Sequence, residues 1–190
     1  MFDDLVNSLL QESFRPVKAK ERLDQLRKTP SGAFKAALIT KKRDPNVEKA
    51  LLDREKSYQS HYLDSSLLTA DLVNYAQNVI QGRWPEAEPY ILRSPYSTTW
   101  YAINVIKGAW PEAENIIKQY ARLSNQYARH AKKGRFKEGE PIILGNSDEA
   151  VDYAIHVLHK RWPEAETILK AENEAPWLEY KDYFGIEEED

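Results

Sequence analysis

The sequence predicts an all-α protein, an α-solenoid of four 26-residue helix-turn-helix repeats with helical N- and C-terminal caps. Three observations carry that prediction. Four segments align without a gap: YAQNVIQGRWPEAEPYI from Tyr75, YAINVIKGAWPEAENII from Tyr101, YARHAKKGRFKEGEPII from Tyr127 and YAIHVLHKRWPEAETIL from Tyr153, a constant period of 26 residues. Within each segment the apolar positions have helical spacing; in the first copy they are Tyr75, Ala76, Val79 and Ile80, with Leu72 one turn earlier. Trp-Pro-Glu-Ala-Glu then marks a corner, because proline suits the first position of a second helix and acids suit its first turn. A helix of about three turns and one of about two cannot bury their apolar stripes alone, so neighbouring units must stack.

The first twelve residues, MFDDLVNSLLQE, predict a separate short amphipathic helix with Phe2, Leu5, Val6, Leu9 and Leu10 on one face. Residues 13–64 read as a basic helical arm and N-terminal cap. Pro16 to Lys28 predicts one helix, ended by Thr29-Pro30, and Ala33 to Thr40 another. Asp44-Pro45 breaks the chain before a third, from about Asn46 to Tyr62. The four repeats occupy 65–175. Gly82 and Gly108 follow the last periodic residue of their helices, where a left-handed backbone favours glycine. Trp84, Trp110, Phe136 and Trp162 form one column, expected to plug the seam between the two helices of each repeat. The tyrosine column should direct its hydroxyls to a glutamate or a backbone group of the next unit. The glutamates Glu86/Glu88, Glu112/Glu114, Glu138/Glu140 and Glu164/Glu166 are expected to cap helices and to pair with Arg83, Arg135 and Arg161; the second copy has Ala109 at that place. Residues 176–190, with Trp177, Leu178, Tyr180, Tyr183 and Phe184, predict an aromatic C-terminal cap and an acidic tail.

Composition excludes several function classes. With 42% hydrophobic and 30% charged residues, the chain is globular and not disordered. It has no cysteine, which excludes disulfides, thiol catalysis and cysteine-ligated metals. No apolar run approaches the roughly 20 residues needed to span a bilayer, so no membrane partner is expected, and the opening is not a secretory signal. No glycine pattern cradles a phosphate. Eight carboxylates at the same two places in four units are not how an enzyme builds a site. No nucleophile set stands out, and His156 with His159 lacks a third metal ligand. The reading is therefore of a binding protein without metal or cofactor, with an uncharacterised enzyme as an alternative.

The third copy departs from the pattern. It has Lys137 for proline, Gly139 for alanine, and Ala131 and Lys132 where Val-Ile stands in the first two copies. It also concentrates Arg129, His130, Lys132, Lys133, Arg135 and Lys137, which reads either as a patch reshaped for a partner or as drift. The polar column Asn78, Asn104, His130 and His156 lies on the exposed edge of the first helices, where a stacked row can line a ligand surface or simply face solvent. Charge is uneven as well. Residues 13–50 hold 11 Lys/Arg against 4 Asp/Glu in a chain of net charge −3, which keeps nucleic-acid binding by this arm and the third repeat as a further alternative. The run lacks the aromatic interleaving of a stacking surface.

The wording YAxxVIxGRWPEAE resembles uncharacterised helical repeats found in proteins of tailed bacteriophages, over about residues 65–175. That resemblance implies no particular activity. The opening is similar to the capsid-targeting peptides of internal head proteins of large myophages, which a prohead protease removes after a Leu/Ile-x-Glu site. Leu10-Gln11-Glu12 followed by Ser13 matches that pattern. The resemblance implies cleavage between Glu12 and Ser13, packaging in the phage head and delivery to the host cytoplasm, with a host or phage protein as partner and an anti-defence role. The alternative is that Phe2 to Leu10 docks on the solenoid or on a second subunit, which leaves the oligomeric state open.

Overall fold

The computed structural model describes residues 16–57, 65–172 and 175–187. The amphipathic dozen, the Glu12–Ser13 cleavage pair and residues 58–64 lie outside them. Among the described residues there are helices and turns and no strand, so the fold is all-α. The chain forms two compact units, one running to Glu88 and the other from Pro89.

The first unit contains α1 (Pro16–Leu26), α2 (Pro30–Thr40), α3 (Pro45–Ser57) and α4 (Ser65–Tyr75). Three of these helices begin at a proline, a residue suited to the first helical position. Helix α2 therefore starts three residues earlier than its apolar pattern suggests, and Thr29 caps it by accepting from the Gly32 N–H at 3.1 Å. A Cβ on Gly32 would sit 2.0 Å from the Leu26 carbonyl oxygen, so only glycine admits the tight α1–α2 turn. Ala36, Ala37, Val47, Leu51, Leu72 and Tyr75 belong to the core of this unit.

Helix α5 (Glu88–Ile91) is a single turn. The second unit then holds α6 (Pro95–Tyr101), α7 (Pro111–Ile117), α8 (Ala121–Gln126), α9 (Glu140–Leu144), α10 (Ser147–Tyr153), α11 (Pro163–Glu172) and α12 (Ala175–Phe184). Helices α6, α8 and α10, the first helices of repeats two to four, pack in sequence: α6 on α8 and α8 on α10.

All four copies end their first helix in the same unexpected way. A π turn follows the α-helix at Ala76–Ile80, Ala102–Ile106, Tyr127–Lys132 and Ala154–Leu158. The left-handed residue is then Gln81, Lys107, Lys133 or His159, with φ of 59, 57, 53 and 51°. This corrects the expectation that Gly82 and Gly108 hold that conformation; each glycine stands one place later. The wider π turn moves the end of the helix, and the carbonyl of the buried alanine accepts two N–H groups. In the first copy Ala76 accepts from Gln81 at 2.8 Å and from Gly82 at 3.3 Å. The second of these bonds recurs from Gly108 to Ala102, Gly134 to Ala128 and Lys160 to Ala154. A left-handed non-glycine residue costs about 1–2 kcal/mol, and the doubly used carbonyl helps to offset it.

The aromatic columns are buried as predicted. Tyr75, Tyr101, Tyr127 and Tyr153 have no exposed surface, and each packs on the Trp or Phe nine residues later, tilted on the tryptophans and edge-on to Phe136, with ring centroids 5.4, 5.2, 5.2 and 5.3 Å apart. The tyrosine hydroxyls, expected to reach the next unit, instead reach back to the preceding corner. Tyr127 accepts from the Trp110 N–H at 2.7 Å and donates to Glu114 at 3.0 Å. Tyr153 does the same with Phe136 and Glu140, at 2.7 and 3.1 Å, and Tyr180 of α12 with Trp162 and Glu166, at 2.6 and 3.0 Å. In the first unit Tyr75 accepts from the Asp44 N–H and donates to Glu48, so the Arg43-Asp44-Pro45 segment is a corner of the same kind that the repeat wording does not reveal.

At four corners an arginine makes two parallel bonds to the glutamate: Arg43 to Glu48, Arg83 to Glu88, Arg135 to Glu140 and Arg161 to Glu166. The hydrogen bond from Arg161 holds the Glu166 carboxyl below its ordinary range. Burial pushes the hydroxyls of Tyr75, Tyr127 and Tyr153 up, and that of Tyr180 up to about 12. Where the second copy has Ala109, the ammonium of Lys132 reaches Glu114 at 2.9 Å and lies 5.1 Å from the centre of the Phe136 ring.

Candidate functional site

The repeats provide an internal alignment of four copies. The Tyr, Ala, Trp/Phe and Ile/Leu columns that repeat in kind are buried, whereas several columns that change lie on the outward face of the first helices. In the second unit three such columns run down that face, each with a 26-residue step: Tyr96, Arg122 and Asp148; Trp100, Gln126 and Asp152; Asn104, His130 and His156; the first unit has Ala70, Asn74 and Asn78 at the same places of its own helix. Most are exposed, and Gln126, Asp152 and Asn104 are partly covered. In the second unit the face therefore changes from aromatic on α6, to basic and amide on α8, to acidic on α10.

Between α8 and α10 this face dips into a cleft of about 340 Å³ lined by Arg122, Asn125, Gln126, Arg129, His130, Asp148, Glu149 and Asp152. Asn125 anchors its floor. The side chain is buried, and its Nδ2 donates to Glu149 Oε2 and Asp152 Oδ2, both at 2.8 Å. Among the described residues its Oδ1 has no partner, and it is closed off from solvent. The asparagine thus acts as a structural pin holding two carboxylates. Asp152 is further fixed by Arg129 at 3.2 Å and faces His156 at 3.5 Å. Asn146 caps α10 by accepting from the Glu149 N–H at 3.0 Å, which aims Glu149 at Asn125.

The residues singled out in the sequence separate into three groups. Arg129 and His130 line the cleft, and His156 borders it through Asp152. Lys132 and Arg135 are clasp residues, tied to Glu114 and Glu140, so they do not belong to a free basic patch. Lys133 is the left-handed residue of its π turn, and Lys137 is exposed in the 3₁₀ turn Lys137–Gly139, away from the cleft lining. Asn104 donates to the Trp100 carbonyl at 3.0 Å, and Asn78, in the first unit, donates to Asn74. The expected patch is therefore split, and only part of it faces the cleft.

Sequence reasoning missed Tyr96, Trp100, Arg122, Asn125 and Asp148. The signal was present for four of them: in register with the repeat, Tyr96, Trp100, Arg122 and Asp148 stand at places where every copy has a different residue, whereas the column of Asn125 has valine in two copies. Tyr96 and Trp100, one turn apart on α6, are 65% and 57% exposed, unusual for rings of that size. Arg122 and Asp148 are exposed and make no ion pair among the described residues. The site offers charge, amides and apolar rings, and no hydroxyl or thiol nucleophile lines the cleft. Among the described residues no group of three or more His, Asp or Glu is placed to hold a metal ion, and no helix is long and apolar enough to cross a membrane.

The first unit has its own apolar hollow of about 580 Å³ beside the α1–α2 turn, lined in part by Phe34, Val47 and Leu51, with Arg27 and Lys28 on its rim. Within the basic arm Arg43 is tied to Glu48, and Lys20, Lys35, Lys41, Lys42 and Lys49 are exposed. Set against known proteins, the chain matches no family model, no curated protein and no solved structure.

Proposed function

We propose that this protein is a non-catalytic, phage-encoded binding scaffold: a four-repeat α-solenoid that presents the outward face of its first helices to a host or phage protein. The observation that carries the reading is the division within the repeat. Buried columns keep Tyr, Ala, Trp/Phe and Ile/Leu, while outward columns change from aromatic to basic to acidic. A scaffold needs the first set to stack and the second to recognise. Packaging in the phage head, removal of residues 1–12 after Glu12, and action in the host cytoplasm against a defence system belong to the same proposal and rest on the resemblance of the opening and of the repeat wording.

Two measurements test it. The intact mass of protein recovered from phage particles should lack residues 1–12; a full-length mass there sinks the delivery reading. Partner capture by the full chain should fall when Trp100 and Arg122 are replaced and persist when Lys41, Lys42 and Lys49 are reversed to glutamate.

Nucleic-acid binding by the arm is the second reading, favoured by the exposed lysines of residues 13–50. It requires binding that weakens steeply with salt, about tenfold or more between low and moderate ionic strength, and that is lost in those lysine reversals.

A further inference from the structure

The outward face of the second unit carries a readable order. Repeats two and three, and repeats three and four, are joined by the same bond: Trp110 N–H to Tyr127 and Phe136 N–H to Tyr153, each 2.7 Å. The same step therefore relates α6 to α8 and α8 to α10, and residues 26 apart stand side by side. At one level of that face the order is Tyr96, Arg122, Asp148, with Trp100 one turn below Tyr96 and Gln126 one turn below Arg122.

We propose that this face binds an extended polypeptide segment of the partner, laid across α6, α8 and α10, whose side chains run apolar, acidic, basic. The inference rests on the scaffold reading above and specifies its ligand. Packed helices lie roughly 8–10 Å apart, and a chain extended in the polyproline II conformation advances about 3.1 Å per residue with three residues per turn, so every third side chain faces the same way. One helix is thus met about every third residue, which gives the pattern apolar-x-x-Asp/Glu-x-x-Lys/Arg, or its reverse. The apolar side chain covers the exposed faces of Tyr96 and Trp100, the carboxylate meets the Arg122 guanidinium, and the cation meets Asp148. Gln126, whose amide has both a donor and an acceptor and no hydrogen-bond partner among the described residues, serves the peptide backbone between them.

Charge decides against the other occupant this surface suggests. Exposed rings beside arginines also suit single-stranded nucleic acid. A phosphate chain running from the rings across Arg122 would next meet Asp148, Glu149 and Asp152, which line the same cleft. A segment carrying one charge of each sign is matched at every step.

The test uses the full chain and two immobilised peptide libraries, apolar-x-x-Asp/Glu-x-x-Lys/Arg and the same with acid and base exchanged, each in both chain directions. The first library should bind roughly tenfold more tightly. Trp100→Ala should abolish the binding, and the double exchange Arg122→Glu with Asp148→Lys should invert the preference. These side chains are exposed, so far-ultraviolet circular dichroism should be unchanged in each variant. Equal binding of both libraries overturns the proposal, as does an unaltered preference in the double exchange. Salt-sensitive binding of oligothymidylate that is lost in Trp100→Ala also overturns it, in favour of nucleic acid. Retention of a captured protein partner by Trp100→Ala/Arg122→Glu overturns this site while leaving a scaffold acting through another surface.

Discussion

Repeats two and three reach the same corner by different chemistry. In repeat two the corner is Trp110-Pro111-Glu112-Ala113-Glu114, and α7 begins directly at the proline. In repeat three it is Phe136-Lys137-Glu138-Gly139-Glu140, and a 3₁₀ turn precedes α9. Both aromatic rings are buried, both backbone N–H groups donate to the next tyrosine, and both glutamates accept a hydrogen bond from that tyrosine's hydroxyl. What differs is the cation. Arg135 serves Glu140 from within its own repeat, whereas Glu114 is served by Lys132 from the repeat that follows. Lys132 stands where the other copies have Ile or Leu, so the oddity of repeat three answers the loss of arginine at Ala109 in repeat two. The hydroxyl bond and its glutamate are the constant element of the corner; the proline and the source of the cation are exchangeable.

The largest expected effect tests whether the two seams are equivalent. Trp110→Ala and Phe136→Ala should each lower unfolding free energy by about 3–5 kcal/mol in denaturant titrations. A loss below roughly 0.5 kcal/mol for either would show that its ring does not anchor the seam.

Next come the hydroxyls. Tyr127→Phe and Tyr153→Phe should each cost about 1–3 kcal/mol, because each strands the buried N–H of Trp110 or Phe136. Similar costs would confirm that the flanking cation is secondary, and a much smaller cost in repeat two would refute it. The same hydroxyls set an alkaline limit. Their folded-state pKa values lie above the ordinary 10.0, so their contribution is complete below pH 10 and is lost as pH rises through the folded values, that of Tyr180 at about 12. Thermal midpoints should therefore fall above pH 10, and less so in a Tyr153→Phe variant. A flat profile between pH 10 and 12 would count against this. Glu166 acts in the opposite sense: its pKa lies below the ordinary 4.5, so its share is present above that pH and is lost on acidification.

Gly139→Ala should cost about 1–3 kcal/mol, since a Cβ there lies 2.6 Å from the Phe136 ring and 2.9 Å from Ser124. Phe136→Trp in that background should not restore the loss; recovery would show that the fit of the aromatic–alanine pair, and not crowding by the Cβ, sets the cost. The smallest effect sharpens the comparison most. Lys132→Ile should lower stability by less than about 1 kcal/mol, and adding Ala109→Arg should recover it. Strict additivity of the two changes would break the compensation argument.

The buried half of the repeat was legible because packing acts on every copy alike. Tyr75, Trp84, Ala87 and Ile91 recur with their period since each fills the same space in its own copy, and a constant environment leaves a constant residue. The corner at Arg43-Asp44-Pro45 was not legible as such. It lies outside the 26-residue step, and its clasp is a contact over 31 residues, from Asp44 to Tyr75. The π turns were hidden for a different reason. A single inserted residue at a helix end leaves the apolar spacing intact, so glycine looked like the natural left-handed residue. The candidate site was half visible: His130 and Arg129 stood out by charge, but Tyr96 and Trp100 precede the segment whose wording repeats, and their exposure is a property of the fold.

The sequence by itself determined that the chain is helical, that its repeat is 26 residues long, and which columns are interior, because local periodicity and side-chain volume are written residue by residue. Only the tertiary structure decided which repeat each tyrosine grips, that Lys132 serves Glu114, and that Asn125 pins two carboxylates from α10. Those choices are contacts between elements, and their energies depend on distances that no spacing along the chain specifies.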